Sequence, residues 1–468
     1  MVLNFRKLMV LVIVFFLVLP VSANAASING TANSPWFPQW FKHEEAGVKN
    51  LSTAFVGKYE VPMLSYSRTG QPHIYEAFKA TPAVPGNCGP GNAWVCNTWN
   101  DSDLIPGSLS QMATMQYIDS HTIRWAYSAA GMIRGASIEL MNDMSFVDDN
   151  WENLIQISKF GDTLIGTPSI QVIGGHYMLA ATIMGGDLYD HKLVYMHYTG
   201  NTPKTSCISA GSVYDCVVID QSLGFGSIGA PSLQVTDNGS IGIAYYKSGE
   251  VMYAYPHDHS VLWPSNCGPE VGGNETWRCI TIFAGTETGT VGQVVKLAAG
   301  KSLSESGIAF TYDDELIPVT LYHADYVGSG GNCGWDGRLG LATYRWHCED
   351  IVFMYNLSPG GKPSFSIDID PDGYSVMAYD YRGCDLCNND LNVAYPKARI
   401  GDPDPGWITE GVDGAPVFDV ETGAQAAISI NSSGRGFISY LQEEDYVLPD
   451  LKIALQGLQT FLPITAKP

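Results

Sequence analysis

A chain of 468 residues carries 47 acidic against 25 basic side chains, for a formal charge of −22. That surplus of carboxylates argues against nucleic acid or an anionic membrane surface as partner, because both select for lysine and arginine. Fifty glycines, 25 tyrosines and the lack of a Lys/Glu/Ala-rich helical periodicity point to an all-β protein.

The first residues read as a secretory signal. Arg6 and Lys7 form a charged start, Leu8–Leu19 is an apolar run, and Ala23-Asn24-Ala25 is a small-residue cleavage site, so residues 1–25 are expected to be removed. The apolar run is shorter than the roughly 20 residues a membrane span needs. Residues 26–468 are then expected to form one secreted, periplasmic or cell-surface domain with no membrane span, acting as a monomer.

The rest of the chain repeats one unit, clearest at Pro231–Pro256. Ser232–Thr236 alternates like a strand, and Asp237-Asn238-Gly239 is a hairpin turn in which Asn-Gly supplies positive φ. Ile241–Tyr246 is a second strand, Ser248-Gly249 turns again, and Val251–Tyr255 follows. A closing fourth strand often carries Cys or Trp, as in Trp94–Trp99, Trp277–Phe283 and Trp346–Phe353.

Seven copies fall at about 50–100, 104–158, 161–220, 224–283, 288–353, 356–410 and 414–468. A period of about 55–70 residues suits one four-stranded antiparallel blade per repeat, so the expected fold is a seven-bladed β-propeller, with six or eight blades as alternatives. Three copies enter their first strand on Pro-Ser: Pro168-Ser169, Pro231-Ser232 and Pro363-Ser364. Second strands often end on a small residue and Tyr, as at Ala126-Tyr127, Ala244-Tyr245, Ala378-Tyr379 and Ser439-Tyr440, which reads as packing between blades. The seventh repeat lacks chain for its outer strand. Either Trp36–Lys42 or Leu458–Ile464 would complete it.

Ten cysteines in an exported chain are read as disulfides. Cys88/Cys96, Cys267/Cys279 and Cys333/Cys348 share Asn-Cys-Gly, a loop, then Cys just after an aromatic; Cys207/Cys216 follows a weaker version. Each pair would staple a third-to-fourth-strand loop to its own blade. Cys384 and Cys387 form a CxxC that, in a hairpin loop, reads as a small structural bridge rather than a redox motif.

In a propeller the second-to-third-strand loops ring one mouth of the channel, the default binding face. Here those loops hold Asp187, Asp190, His191, Glu250, Asp314, Glu315, Asp380, Glu443 and Glu444, with Arg382 beside Asp380 and Arg68 and Arg134 of the first two repeats as a basic sector. The expected site is therefore an acidic funnel. In the clearest repeat it would be met at Lys247–Glu250, with the Gly239 turn serving only as architecture. Asp368, Asp370 and Asp372 resemble the start of a calcium loop, but Tyr379 stands where its closing Glu belongs. Calcium is the one cofactor the sequence raises. His257-Asp258-His259 is a weaker metal candidate on the opposite rim.

The repeat grammar of Pro-Ser-apolar, a Gly turn, Ala-Tyr, then Leu/Val-x-Tyr/Val-Ala-Tyr resembles secreted bacterial β-propellers of the sialidase-like superfamily. The resemblance implies the propeller fold and an extracellular setting. Sialidases of that group use an arginine triad, a Tyr/Glu pair and Asp boxes, with an early Arg-Ile-Pro. This sequence has no Arg-Ile-Pro, and Ser429–Phe437 has the wrong spacing for an Asp box, so no catalytic residue is carried over. The expected function is an extracellular module that binds glycan or protein ligands through the acidic funnel. The alternative is a glycoside hydrolase or polysaccharide lyase using funnel carboxylates.

Overall fold

The structure, a computed structural model, describes residues 36–42, 47–56, 59–68, 73–100, 116–117, 122–129, 131–140, 144–185, 190–200, 203, 205–209, 212–222, 227–236, 238–256, 267, 277–285, 289–302, 305–314, 317–335, 344–353, 364–382, 389–400, 406–414, 420–444 and 449–457. The signal stretch, Leu458–Ile464, His257–His259, Asp187, Glu315, Cys384 and Cys387 lie outside them.

The chain forms a seven-bladed propeller of four-stranded antiparallel meanders. The four strands of blade 3 are Thr163–Ile173, His176–Met184, His191–Tyr198 and Tyr214–Ser222. Those of blade 4 are Ser232–Val235, Ile241–Lys247, Glu250–Pro256 and Trp277–Ala284. Blade 5 pairs Gly289–Ala299, Ser306–Asp314, Ile317–Tyr326 and Tyr344–Phe353 in order. Blade 6 pairs Phe365–Ile369, Ser375–Arg382, Asn389–Pro396 and Trp407–Asp413.

The buried side chains form one apolar cluster at each blade boundary. Between blades 1 and 2, for example, Met63 and Phe78 meet Trp125 and Ile138. Between blades 7 and 1, Phe437 and Leu451 meet Leu64 and Trp94. Seven such clusters among the described residues match seven interfaces, as a closed ring requires. No blade could bury its two faces alone.

The Pro-Ser motif has a specific role in this ring. The innermost strand of each blade is an edge facing the channel, so a proline there sacrifices no ladder bond. The serine hydroxyl accepts a backbone N–H from the next inner strand: Ser169 from Leu233 at 2.9 Å, Ser232 from Leu297 at 2.9 Å, and Ser364 from Ala426 at 2.9 Å. At the seam Ser429 donates to the Thr53 carbonyl at 2.7 Å, joining blade 7 to blade 1. Farther out, the second-strand tyrosines bond to an acid on the preceding blade. Tyr245 donates to Asp220 at 2.7 Å, and Tyr440 donates to Asp413 at 2.7 Å. Asp220 also pairs with Lys247 at 2.7 Å, and Asp413 with Lys452.

The ring is closed by the N-terminal candidate. Trp36–Lys42 pairs antiparallel with Asp450–Gln456 and becomes the outer strand of blade 7. Trp36 is buried over Gly436, where an added Cβ would lie 2.2 Å from its ring.

Four of the five cysteine pairs are bonded as expected: Cys88–Cys96, Cys207–Cys216, Cys267–Cys279 and Cys333–Cys348. All four lie on the rim opposite the second-to-third-strand loops. They fit an oxidising compartment. No helix among the described residues is long and apolar enough to cross a membrane.

The seam is testable. Gly436→Ala should expel Trp36 and cost about 1–3 kcal/mol in urea unfolding, the usual range for overpacking. Wild-type stability in this variant would contradict the seating of Trp36. Reduction of the four bridges should also destabilise the protein, by about 2–4 kcal/mol for each one that adds no strain.

Candidate functional site

The structure sorts the funnel candidates into anchored and available groups. His191 is buried rather than presented to ligand: it opens the third strand of blade 3, and its Nδ1 lies 3.1 Å from the amide N of Ile228 on the next connection. Asp380 is also buried, and its Oδ1 accepts the Ser364 amide at 2.7 Å, fixing the entry of the inner strand. His191 ties blade 3 to the connection leading into blade 4, and Asp380 ties two strands within blade 6, roles that loop position in the sequence does not reveal.

Glu250 is half-buried at the start of a strand, where Oε2 accepts Thr281 Oγ1 at 3.2 Å within its own blade. Arg134 is half-buried within the third strand of blade 2, opposite Tyr127. Asp190 remains on the rim. Its Oδ2 meets Lys192 Nζ at 3.1 Å and its Oδ1 accepts Gln221 Nε2 at 2.6 Å. Burial works against its charge, but the bonds from Lys192 and Gln221 and the positive field of Lys192 prevail and hold the carboxyl below its ordinary value. Asp314, Arg382, Glu443 and Glu444 lie at strand ends on this face, with their side chains outside the described set.

Asp368, Asp370 and Asp372 do not converge on one point. Asp368 Oδ2 accepts the Ile430 amide of blade 7 at 2.7 Å, continuing the inner-strand ladder. Asp370 Oδ1 accepts the Asp372 and Tyr374 amides at 3.0 and 2.9 Å, closing the hairpin on itself. Asp372 is exposed at its tip.

The concave site lies on the other rim. A groove of about 580 Å³ opens between blades 3 and 4. It is built where third strands end in aromatics, Tyr195-Met-His197-Tyr198 and Tyr253-Ala-Tyr255-Pro256, and where Trp277 begins a fourth strand. The Gly239 turn forms part of its wall. His176 stacks on Tyr198 with ring centroids 3.5 Å apart, and Tyr195 stacks on His197 at 5.5 Å. Trp277 meets Tyr195 edge-on at 5.0 Å and is buried, so it braces the groove floor. Tyr198 is 39% exposed and Tyr255 half-buried, leaving ring surface for a ligand. Among the described residues, the lining holds no Asp, Glu, Lys or Arg. The Cys207–Cys216 and Cys267–Cys279 bridges lie on the third-to-fourth-strand connections of these two blades.

In blade 4 the groove and the sequence-expected site thus lie at opposite ends. The concave surface meets the Gly239 turn, not the Lys247–Glu250 loop. The available signal was the run of aromatics at the ends of the third strands.

No protein-family model matches this chain, and no curated protein sequence does. Among solved structures it is similar to an α-L-arabinanase from Penicillium chrysogenum complexed with arabinobiose, at 12% identity over 75% of this chain and 95% of that one, with a TM-score of 0.43. It is similar to the polysaccharide lyase Uly1 at 12% identity, 89% and 90% coverage and a TM-score of 0.44. For the NanB sialidase from Streptococcus pneumoniae the values are 9%, 90% and 94%, and 0.37. At TM-scores below 0.5 these similarities transfer neither ligand nor activity to this chain.

Asp368 supplies a pH test. Burial pushes its carboxyl up to about 6, against hydrogen bonds from Ile430 and Ile369 that favour the charge. The folded protein therefore holds a proton that the unfolded chain releases near pH 4. Its contribution costs nothing below that point, grows unfavourable as pH rises from about 4 to 6, and is fully unfavourable above. Asp368→Asn should flatten this fall in urea-unfolding stability. An unchanged slope would contradict the raised pKa.

Proposed function

We propose that the protein is an extracellular glycan-binding propeller, and that the groove between blades 3 and 4 holds the sugar. The observation that carries this reading is the aromatic wall formed by Tyr198, Tyr255 and their stacked neighbours. Aromatic faces offer broad apolar contact with few rotatable bonds, while phenol and imidazole tips supply hydrogen bonds. A pyranose or furanose ring needs the same pair of features: an apolar C–H face and a polar edge.

The uncharged lining among the described residues favours a neutral sugar. It also favours binding over cleavage, because glycoside hydrolysis in its usual form needs two carboxylates flanking one bond. Among the described residues, the groove supplies none. Among the described funnel candidates, His191 and Asp380 are committed to joining segments of the ring.

Titration calorimetry against a panel of neutral oligosaccharides should give a saturable isotherm. Tyr198→Ala and Tyr255→Ala should each weaken it by about tenfold, the scale of one lost aromatic contact. Sugar binding unaffected by either substitution would overturn the groove assignment, and turnover of the sugar would overturn the non-catalytic reading.

A further inference from the structure

We propose that the face of blade 5 turned toward blade 6 carries a binding site for a transition-series divalent cation, with zinc the best fit, held by His323, Asp325 and Glu349. Alternation places His323 and Asp325 on one face of the third strand. The register sets Glu349 directly opposite His323, and His347 opposite Asp325, on the fourth strand. One ligand atom from each of His323, Asp325 and Glu349 lies within 4.8 Å of the others.

The histidine is the informative member. His323 is buried, and its Nε2 lies 2.9 Å from Ser375 Oγ on blade 6. The Trp407 ring meets it edge-on at 4.8 Å. Gly307 leaves room for this contact, since a Cβ there would sit 2.6 Å from Nε2 and 2.4 Å from the serine oxygen. Nδ1, by contrast, is buried with no hydrogen-bond partner and sits 3.4 Å from Asp325 Oδ2. With Ser375 accepting Nε2–H, the neutral imidazole carries its lone pair on Nδ1, the ring nitrogen beside Asp325. An outer partner that fixes the tautomer and the ring plane is the usual companion of a metal-bound histidine.

The donor set decides the class of ion. Calcium and magnesium favour oxygen ligands throughout. One imidazole nitrogen with two carboxylates suits zinc, which takes three protein ligands and leaves a position for water. Asp325 is 46% exposed, so that position opens to solvent. Cys348 stands between His347 and Glu349, and its bridge to Cys333 holds the ligand-bearing strand in place. A bound cation would tie the third and fourth strands of blade 5 beside blade 6, away from the sugar groove.

The test is calorimetric titration of chelator-treated full chain with zinc chloride, repeated on Asp325→Asn and Glu349→Gln. Both variants alter partly accessible side chains, and an unshifted melting temperature without metal verifies their folding. The expected result is one zinc per chain, affinity lower by about tenfold or more in each variant, and a zinc-induced rise in melting temperature confined to the wild type. Identical zinc isotherms in the wild type and both variants would overturn the site, and so would a wild type that binds no zinc, leaving a plain His323–Asp325 contact.

Discussion

The hydrogen bond from an inner-strand side chain to the backbone of the next inner strand is the constraint on which the rest of this propeller depends. Ser169, Ser232, Ser364 and Asp368 each reach one blade forward to a backbone amide. Ser429 carries the pattern across the seam to Thr53. The inner strands expose unpaired edges to the channel, and a buried amide without a partner costs about 1–3 kcal/mol. Satisfying those amides from the preceding blade sets the spacing between sheets, and the apolar clusters can then fill the wedge between them. The acid–tyrosine bonds Asp220–Tyr245 and Asp413–Tyr440 repeat the same forward reach farther from the axis.

This device separates the two faces of the molecule chemically. On the funnel side, residues that look functional by charge are drawn into internal hydrogen bonds. His191 spans to Ile228 and Asp380 to Ser364. On the opposite side the third strands run out into aromatic ends, and two disulfides lie on the connections that follow them. A surface built from stacked aromatic rings is preorganised, so less conformational freedom is lost when a ligand settles on it.

The fold was legible in the sequence because each repeat states its turns and strands locally. The Asn238-Gly239 hairpin, the Pro-Ser entries and the local cysteine spacing each depend on a few adjacent residues. Blade count and the four described disulfides followed from them. The choice between Trp36–Lys42 and Leu458–Ile464 was not legible, because it rests on Gly436 leaving space for Trp36, a contact between residues 400 positions apart in the chain. The candidate site was less legible for the same reason. Burial of His191 and Asp380 is a property of the neighbouring segment each one meets. The groove joins Tyr198 of one blade to Gly239 and Tyr255 of the next, and the His323 cluster joins two strands across a disulfide-closed loop. Charge in a loop is visible in sequence, whereas its consumption by a neighbouring amide is not.

The most direct measurement is a crystal structure of the protein with a neutral oligosaccharide bound. The account predicts a sugar ring seated in the groove between blades 3 and 4, its C–H face against Tyr198 or Tyr255. A sugar found in the funnel instead, bonded to Asp190 or Glu250, would contradict it.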